Sequence, residues 1–249
     1  MGSCHHPNIV GCFGVEVFRE EVWILMEYCD GGSLADEMRR KKETLKEEQI
    51  RKIVRQVLEG MSYLHKQGIV HRDIKASNLL IDGGSTKIAD FGVSFYEHSN
   101  REDKHCKIGS PFWMSPESIK DSLYTSKLDI WALGVTVLEL AEGVPPYAHQ
   151  HPFRAIYSIQ SHPPTGFKEP SLWSQSLNDF VTQCLTINHL IRPTAQELLG
   201  HAFLTNIPNN KQVTYPSLQS SPSNPNENTL ILHEGIPKSF WERESCGPS

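Results

Sequence analysis

A short stretch in the first half of the chain combines side chains that suit acid–base chemistry, charge neutralisation and metal binding. Residues 71–78 read His-Arg-Asp-Ile-Lys-Ala-Ser-Asn, and the string Asp90-Phe91-Gly92 follows twelve residues after Asn78. An aspartate can orient a hydroxyl and accept its proton, and a lysine can neutralise developing negative charge. Carboxylate and amide oxygens are donors that hard divalent cations prefer. The stretch is therefore a candidate catalytic site that also holds a metal ion.

A predicted hairpin brings the two candidate metal ligands together. Residues 79–81 and 87–89 are short apolar runs, and Asp-Gly-Gly-Ser at 82–85 between them is typical of a tight turn. A hairpin returns the chain to its origin, so Asn78 and Asp90 become neighbours at its open end. Their oxygens then face one point, which is the donor set expected for Mg²⁺ beside substrate phosphates.

The rest of the pattern predicts a small hairpin followed by helices. Residues 15–18 and 22–28 read as strands, and a long amphipathic helix is predicted between a capping box at Thr44 and Glu47 and a stop at Gly68. Its apolar stripe comprises Ile50, Ile53, Val54, Val57, Leu58, Met61 and Leu64. Further helices are predicted at 127–141, which is broadly apolar, and at 152–160, 176–185 and 195–199.

Composition excludes several classes of function. The 249 residues are 38% hydrophobic and carry a formal net charge of −5, so no basic surface predicts a nucleic-acid partner. The longest apolar run, 131–141, is too short to insert into a membrane. Six cysteines without a C-x-x-C pair, and no secretory signal, predict reduced thiols in a cytoplasmic protein.

The C-terminal region differs from the rest of the chain. Six prolines fall within residues 205–249, and we expect a disordered tail there. Within it, the richer segment 229–244 either has no function or docks to a partner.

The motifs together resemble those of a eukaryotic protein kinase domain, over residues 1 to about 204. The match rests on the H-R-D-x-x-x-x-N string at 71–78, the D-F-G string at 90–92 and Ser115-Pro116-Glu117 in that order. The resemblance implies an α+β fold with a truncated β N-terminal lobe (residues 1–29) and a mostly helical C-terminal lobe (residues 30–204). It also implies ATP and Mg²⁺ as cofactors and proteins with serine or threonine as substrates.

The resemblance implies a role for each polar residue of the loop. Asp73 orients the substrate hydroxyl and accepts its proton, while Lys75 neutralises charge on the transferred phosphate. Arg72 beside them binds an activating phosphate. Asn78 and Asp90 hold Mg²⁺ on the nucleotide.

Other implied positions surround the loop. Glu27 and Cys29 form the hinge that binds adenine through backbone groups, Met26 is the gatekeeper, and Leu80 lies beneath the ring. The implied structural or regulatory positions are His71, Phe91, Gly92, Ser110, Glu117, Asp129 and Arg192. Three contacts are implied among them: the His71 ring packs on Phe91, Ser110 contacts the catalytic loop, and Glu117 pairs with Arg192. Asp129 is implied to lie at the start of the buried helix beneath the catalytic loop.

The branch of the family is predicted from further strings. Lys75, two residues after Asp73, is the serine/threonine pattern, and 109–117 resembles the G-T-P-x-W-M-A-P-E run of Ste20-like kinases. Within that group the strings 27–29, 139–156 and 172–174 are similar to the Hippo/MST branch.

Three features depart from the family pattern. No G-x-G-x-x-G string precedes the hinge, and the first lysine is Lys41, so the phosphate-covering loop and the strand lysine are missing. We expect Met1 to be an internal methionine taken as a start, rather than the mark of a pseudokinase, because Asp73, Asn78 and Asp90 are intact. The usual activating threonine is replaced by Cys106, which puts activation by phosphate there in doubt.

Two hypotheses about function follow. In the first, the protein is a serine/threonine kinase of a Ste20-like cascade, although the 249-residue chain by itself is expected to be inactive. In the second, it is a non-catalytic kinase-like scaffold. The paired histidines at 5–6 and 149–151 lack a second group of ligands, so no zinc site is predicted.

Overall fold

The computed structural model describes residues 5–19, 21–97, 110–121 and 123–205, and within them the fold is α+β as predicted. The strands are β1 (Cys12–Phe18), β2 (Glu21–Met26), β3 (Ile69–Val70), β4 (Leu79–Asp82), β5 (Ser85–Ile88) and β6 (Phe95–Tyr96). The helices are α1 (Leu34–Lys41), α2 (Glu47–Lys66), α3 (Pro116–Lys120), α4 (Lys127–Glu142), α5 (Pro152–Ser161), α6 (Gln175–Cys184), α7 (Ala195–Leu198) and α8 (Ala202–Thr205).

The first hairpin confirms the two strands expected near the start. β1 and β2 are antiparallel, with Val15 opposite Ile24 and Val17 opposite Val22. Most of its apolar side chains are exposed, and Phe13 is 70% exposed. The hairpin is therefore joined to the rest of the described molecule mainly through the residues that flank it.

Backbone hydrogen bonds attach those flanking residues to the second hairpin. Ile88 donates to the carbonyl of Asn8 (2.9 Å), and Gly31 donates to the carbonyl of Ile81 (3.0 Å). A Cβ on Gly31 would lie 2.7 Å from the Cβ of Ile81, so only glycine allows this approach. The segment after β2 is thus held against the strand that leads from the candidate site.

The second hairpin, β4–β5, forms as the sequence predicts. Leu79 lies opposite Ile88, and the turn residues Gly83 and Gly84 have φ angles of 53° and 84°. Two successive positive φ angles are the geometry of the two-residue hairpin turn that favours glycine.

The long helix α2 carries the predicted apolar stripe, whose residues are at most 2% exposed. Its predicted start is wrong: the N-cap is Lys46, and the amide side chain of Gln49 accepts from the Lys46 backbone N–H (2.9 Å) in place of Thr44 and Glu47. The preceding helix α1 was not predicted, although Ser33 caps it by accepting from the N–H of Asp36 (3.1 Å).

Helix α4 forms the centre of the core. Its described side chains are buried from Leu128 to Ala141, as its broad apolar pattern predicts. Gly134 allows α6 to pack closely, because a Cβ there would lie 2.8 Å from the Cβ of Cys184. Helices α5, α6 and α7 match the predicted ranges to within one residue at each end. Among the described residues, no helix has the length and apolar character needed to cross a membrane.

Candidate active site

A single buried carboxylate fixes the start of the catalytic loop. Asp129, in the first turn of α4, accepts hydrogen bonds from the backbone N–H groups of His71 (2.9 Å) and Arg72 (2.8 Å). Its Oδ2 also pairs with Nε2 of His65 (2.9 Å). Burial alone would raise the pKa of Asp129, but the contact with His65 and the backbone hydrogen bond from His71 outweigh it and lower that pKa. The ionised carboxylate holds Arg72 at a φ of 69°, in the left-handed region.

Asp73 lies at the centre of a polar cluster. Its Oδ2 accepts from Nδ2 of Asn78 (2.8 Å) and from Nζ of Lys75 (2.6 Å), and its Oδ1 accepts from the hydroxyl of Ser110 (2.8 Å). Burial raises the pKa of Asp73, yet these three partners outweigh it and bring the pKa below its ordinary value. The carboxylate is therefore ionised at neutral pH and acts as an acceptor.

Ser110 and Lys75 complete this cluster. The Lys75 ammonium donates to the Ser110 hydroxyl (2.6 Å), which in turn donates to Asp73. A hydroxyl is thus held between a carboxylate and an ammonium. This arrangement supplies both an acceptor for a hydroxyl proton and a positive charge beside the oxygen.

The two candidate metal ligands, Asn78 and Asp90, flank the open end of β4–β5. The Ala89 N–H donates to the Asn78 carbonyl (2.9 Å), and Asp90 follows it, two residues beyond Ile88 of the last strand pair. Asp90 has a φ of 62°, its carboxylate is exposed, and Oδ1 accepts from the N–H of Gly92 (3.2 Å). An amide oxygen and an exposed carboxylate are hard donors that fit Mg²⁺ together with phosphate and water. Among the described residues, no group of three or more His, Cys, Asp or Glu side chains is placed to hold a metal ion.

His71 is a buried support for the site. Its ring contacts Phe91 edge to face, with centroids 4.9 Å apart, and its Nε2 lies 3.0 Å from the Ala89 carbonyl. Burial lowers the pKa of His71 despite nearby carboxylates, so the ring is neutral and the nitrogen donates. The contact with Phe91 implied by the resemblance is therefore present.

Arg72 tethers the segment that follows the D-F-G string. Its Nε donates to the carbonyl of Val93, and its guanidinium lies 4.8 Å from the ring centroid of Phe95 and 5.7 Å from that of Tyr124. Cys106 lies outside the described residues, so the expectation about phosphate at that position stays a prediction.

The residues expected to contact adenine lie between the two hairpins. Met26 and Leu80 are partly buried and pack against a small cluster formed by Val10, Cys29 and Ala89. Burial, with the charges of Asp82 and Glu27 nearby, raises the pKa of the Cys29 thiol to about 11, so the thiol is neutral.

Glu27 ties the two hairpins together. Its carboxylate pairs with Lys87 of β5 and accepts from the N–H of Gly11 (3.0 Å). Lys87 also contacts Asp82 (3.1 Å). The side chain of Glu27 is thus used for structure, and its backbone N–H donates to the Gly11 carbonyl (2.8 Å).

A buried ion pair supports α3, the helix that follows residues 110–113, which we call the activation-region turn. Nη1 and Nη2 of Arg192 donate to the two carboxylate oxygens of Glu117, at 2.6 and 3.0 Å. Arg192 is fully buried, and its guanidinium lies 5.1 Å from the ring centroid of Trp131. This is the pairing that the resemblance implies, in a bidentate form.

Glu139 belongs to the site, although no motif in the sequence assigns it a role. Its Oε2 accepts from the backbone N–H of Ala76 (3.0 Å) and from Nε1 of Trp113 (3.1 Å). The available signal was a single acid within the otherwise apolar run 131–141.

The chain was also compared with known families. A family model described as a protein kinase domain matches residues 1–204. The match covers every residue of the site described above.

Proposed function

The chain belongs to the protein kinase family, and from that premise we propose that it is a serine/threonine kinase of the Ste20-like group, most similar to the Hippo/MST branch. It transfers the γ-phosphate of ATP to hydroxyls of protein substrates. The observation that carries this proposal is the cluster of Asp73, Lys75 and Ser110, in which a hydroxyl lies between a carboxylate and an ammonium.

In the proposed mechanism the chain supplies alignment and charge more than covalent chemistry. Asp73 orients the acceptor hydroxyl and takes its proton as the oxygen bonds to phosphorus. Lys75 stabilises the negative charge on the phosphoryl oxygens. The low pKa of Asp73 makes it a weak base, so its main contribution is orientation until the hydroxyl becomes acidic in the transition state.

Asn78 and Asp90 would hold Mg²⁺, which when bound neutralises the nucleotide phosphates. The oxygen donors at the end of β4–β5 support that assignment. Adenine would lie between Met26 and Leu80, and the backbone of Glu27 and Cys29 would bind its edge. The apolar cluster of Val10, Cys29 and Ala89 supports an aromatic ring at this place.

Two strings in the sequence support the assignment to serine/threonine kinases and to the Ste20-like group. Lys75 follows Asp73 by two residues, and the turn at Ser110 lies within the run 109–117 that resembles Ste20-like kinases. The Ser110 contact with Asp73 and Lys75 matches the expected contact of this run with the catalytic loop.

Phosphotransfer tests the proposal directly. The 249 residues contain no Gly-rich loop ahead of the hinge, so we expect the chain alone to show negligible turnover against the roughly 1–100 s⁻¹ typical of kinases. In a chimera, the segment of an active Ste20-like kinase that carries the Gly-rich loop, the strand lysine and its partner helix glutamate is placed ahead of residue 1. We expect this chimera to label serine and threonine, but not tyrosine, of a generic protein substrate with radioactive phosphate.

The controls separate this function from a scaffold. The chimera with Asp73→Asn carries the same added segment and should not label the substrate. A folded chimera that binds Mg²⁺ and ATP but never transfers phosphate would favour the non-catalytic hypothesis. Labelling of tyrosine alone would overturn the serine/threonine assignment.

A further inference from the structure

We propose that Glu139 is a positioning residue that uses one carboxylate oxygen to hold the catalytic loop and the activation-region turn together, and that its protonation loosens both. Oε2 accepts from Ala76, which follows Lys75, and from Trp113, which lies three residues after Ser110. The two segments that meet at Asp73 therefore share one buried acceptor beneath them. This inference rests on the proposed function only where it concerns the rate of phosphotransfer.

The geometry makes the coupling specific. Ala76 and Trp113 are far apart in sequence, and both donate to the same atom, so displacing that oxygen moves both. Glu139 is 7% exposed, and it projects from α4, the helix at the centre of the core. A rigid helix is a suitable base for a residue that sets the position of two loops.

The charge of Glu139 determines the strength of both bonds. Hydrogen bonds to an ionised acceptor are roughly twice as strong as neutral ones. Burial raises the pKa of Glu139 to about 7, against the opposing effects of its two donors and of Lys75. The carboxyl thus changes charge near neutral pH, whereas the lowered pKa values of Asp73 and Asp129 keep those two carboxylates ionised there.

Few charged groups face Glu139. The positive charge of Lys75, on the catalytic loop, lowers the pKa of Glu139. Glu139 also lines a groove of about 500 Å³ between α1 and the end of α4, where the other charged residues are Arg39, Lys42 and Glu43. Solvent in this groove gives a path by which a proton can reach the carboxyl.

The indole N–H of Trp113 reports on the bond directly. The 249-residue chain, labelled with ¹⁵N-tryptophan, should give five indole signals, and the Trp113 signal is the one lost in Trp113→Phe. Between pH 5.5 and 8.5 we expect this signal to shift in one step with a midpoint near pH 7, the value that burial gives Glu139. In Glu139→Gln the signal should stay, at every pH, close to its low-pH position in the wild type.

A matched control lies one turn further along the same helix. Glu142 accepts from the N–H of Lys168 and pairs with its exposed ammonium, so Glu142→Gln removes a helix carboxylate without touching Trp113. The Trp113 titration should be unchanged in this variant. Trp173, whose ring stacks on Phe167, is a second control, and its indole signal should not titrate in any variant.

The outcomes are decisive without any assay of phosphotransfer. A Trp113 signal that stays constant in the wild type overturns the proposal, whether or not Glu139→Gln folds, and so does a titration that persists in that variant. In the chimera, the rate of phosphotransfer should rise between pH 5.5 and 8.5. The chimera with Glu139→Gln should keep the rate that the parent shows at low pH. A titrating signal in a chimera without activity would count against the proposed function and leave the role of Glu139 intact.

Discussion

The hydroxyl of Ser110 donates a hydrogen bond of 2.8 Å to Oδ1 of Asp73. Thirty-seven residues separate the two in sequence, so this bond defines how the activation-region turn sits on the catalytic loop. Lys75 contacts both partners, at 2.6 Å from each. The position of the proposed catalytic carboxylate therefore depends on a residue outside its own loop.

We expect Ser110→Ala to slow the chimera by about 10- to 100-fold, because a hydrogen bond to a charged group contributes about 1.5–3 kcal/mol. Ser110→Thr keeps the hydroxyl and should retain most of the activity. The measurement is kcat and KM for ATP, and the loss should lie mainly in kcat. Equal activity in Ser110→Ala and the parent would show that the contact does not position Asp73.

Neutralising Asp73 or Asp90 should abolish activity in both cases but should affect stability differently. Asp73→Asn and Asp90→Asn should each abolish phosphotransfer in the chimera, since one removes the acceptor for the proton and the other a metal ligand. Asp73 is 8% exposed and has three partners, so its variant should also lose about 1–3 kcal/mol of unfolding free energy. Asp90 is exposed, and its variant should be nearly as stable as the parent.

Activity assays with Mg²⁺ and urea unfolding curves check this pair of expectations. Full activity of Asp90→Asn would contradict the metal assignment. A large loss of stability in Asp90→Asn would instead indicate a structural role for that carboxylate.

The hairpins and the buried helices were predictable because local rules decide them. A Gly-Gly turn between apolar runs specifies β4–β5, and an unbroken apolar pattern specifies α4. The start of α2 was not predictable in the same way, since Lys46 and Gln49 form the capping contact in place of the expected pair at Thr44 and Glu47. Thr44 and Glu47 carry the usual capping-box signal, whereas the Lys46 side chain has no acceptor, so the local signal favours the wrong pair. The N–H of Leu45, between the two candidate caps, donates to the carbonyl of Leu140 (2.9 Å), which is a contact that local sequence does not encode.

The candidate site was predictable only as far as its motifs extend. The strings at 71–78 and 90–92 mark the residues, but the shared oxygen of Glu139 depends on how α4 packs beneath two loops. No spacing in the sequence encodes that contact. A glutamate inside a buried apolar helix is nevertheless a signal, because an unpaired buried charge is costly.

The Glu117–Arg192 pair should be a large contributor to stability. Glu117→Gln leaves a fully buried guanidinium without its counter-charge, and we expect a loss of about 3–5 kcal/mol in unfolding free energy. The pair of the exposed Lys168 with Glu142 is the control, and Lys168→Ala should cost less than about 1 kcal/mol. Chemical denaturation of both variants measures the difference. Similar losses would contradict the structural role of Arg192.

Gly134→Ala should destabilise the core by about 1–3 kcal/mol, because overpacking forces neighbouring atoms apart. The new Cβ would lie 2.8 Å from the Cβ of Cys184 and 3.0 Å from Cδ2 of Leu185. Gly166→Ala is a matched control, since a Cβ there has no atom within 4 Å. Thermal unfolding should separate the two variants by several degrees, and an unchanged Gly134→Ala would mean that α6 moves away at little cost.

The pH dependence of stability should carry the signature of Glu139. Its pKa is raised from 4.5 to about 7 by burial, so the folded state disfavours the charged form. Below its ordinary pKa the carboxyl is protonated in both states, and the penalty is absent. As the pH rises, the unfolded chain ionises first, and the wild type loses stability until the folded carboxyl ionises as well.

Glu139→Gln has no carboxyl that titrates at this position. The difference in unfolding free energy between the wild type and this variant therefore isolates the contribution of Glu139. We expect the wild type to lose about 2–3 kcal/mol relative to Glu139→Gln between pH 5 and pH 8. Urea unfolding at a series of pH values measures this difference, because all other titrating groups are common to both proteins. A difference that does not change with pH would mean that Glu139 has an ordinary pKa, and that its two hydrogen bonds compensate fully for its burial.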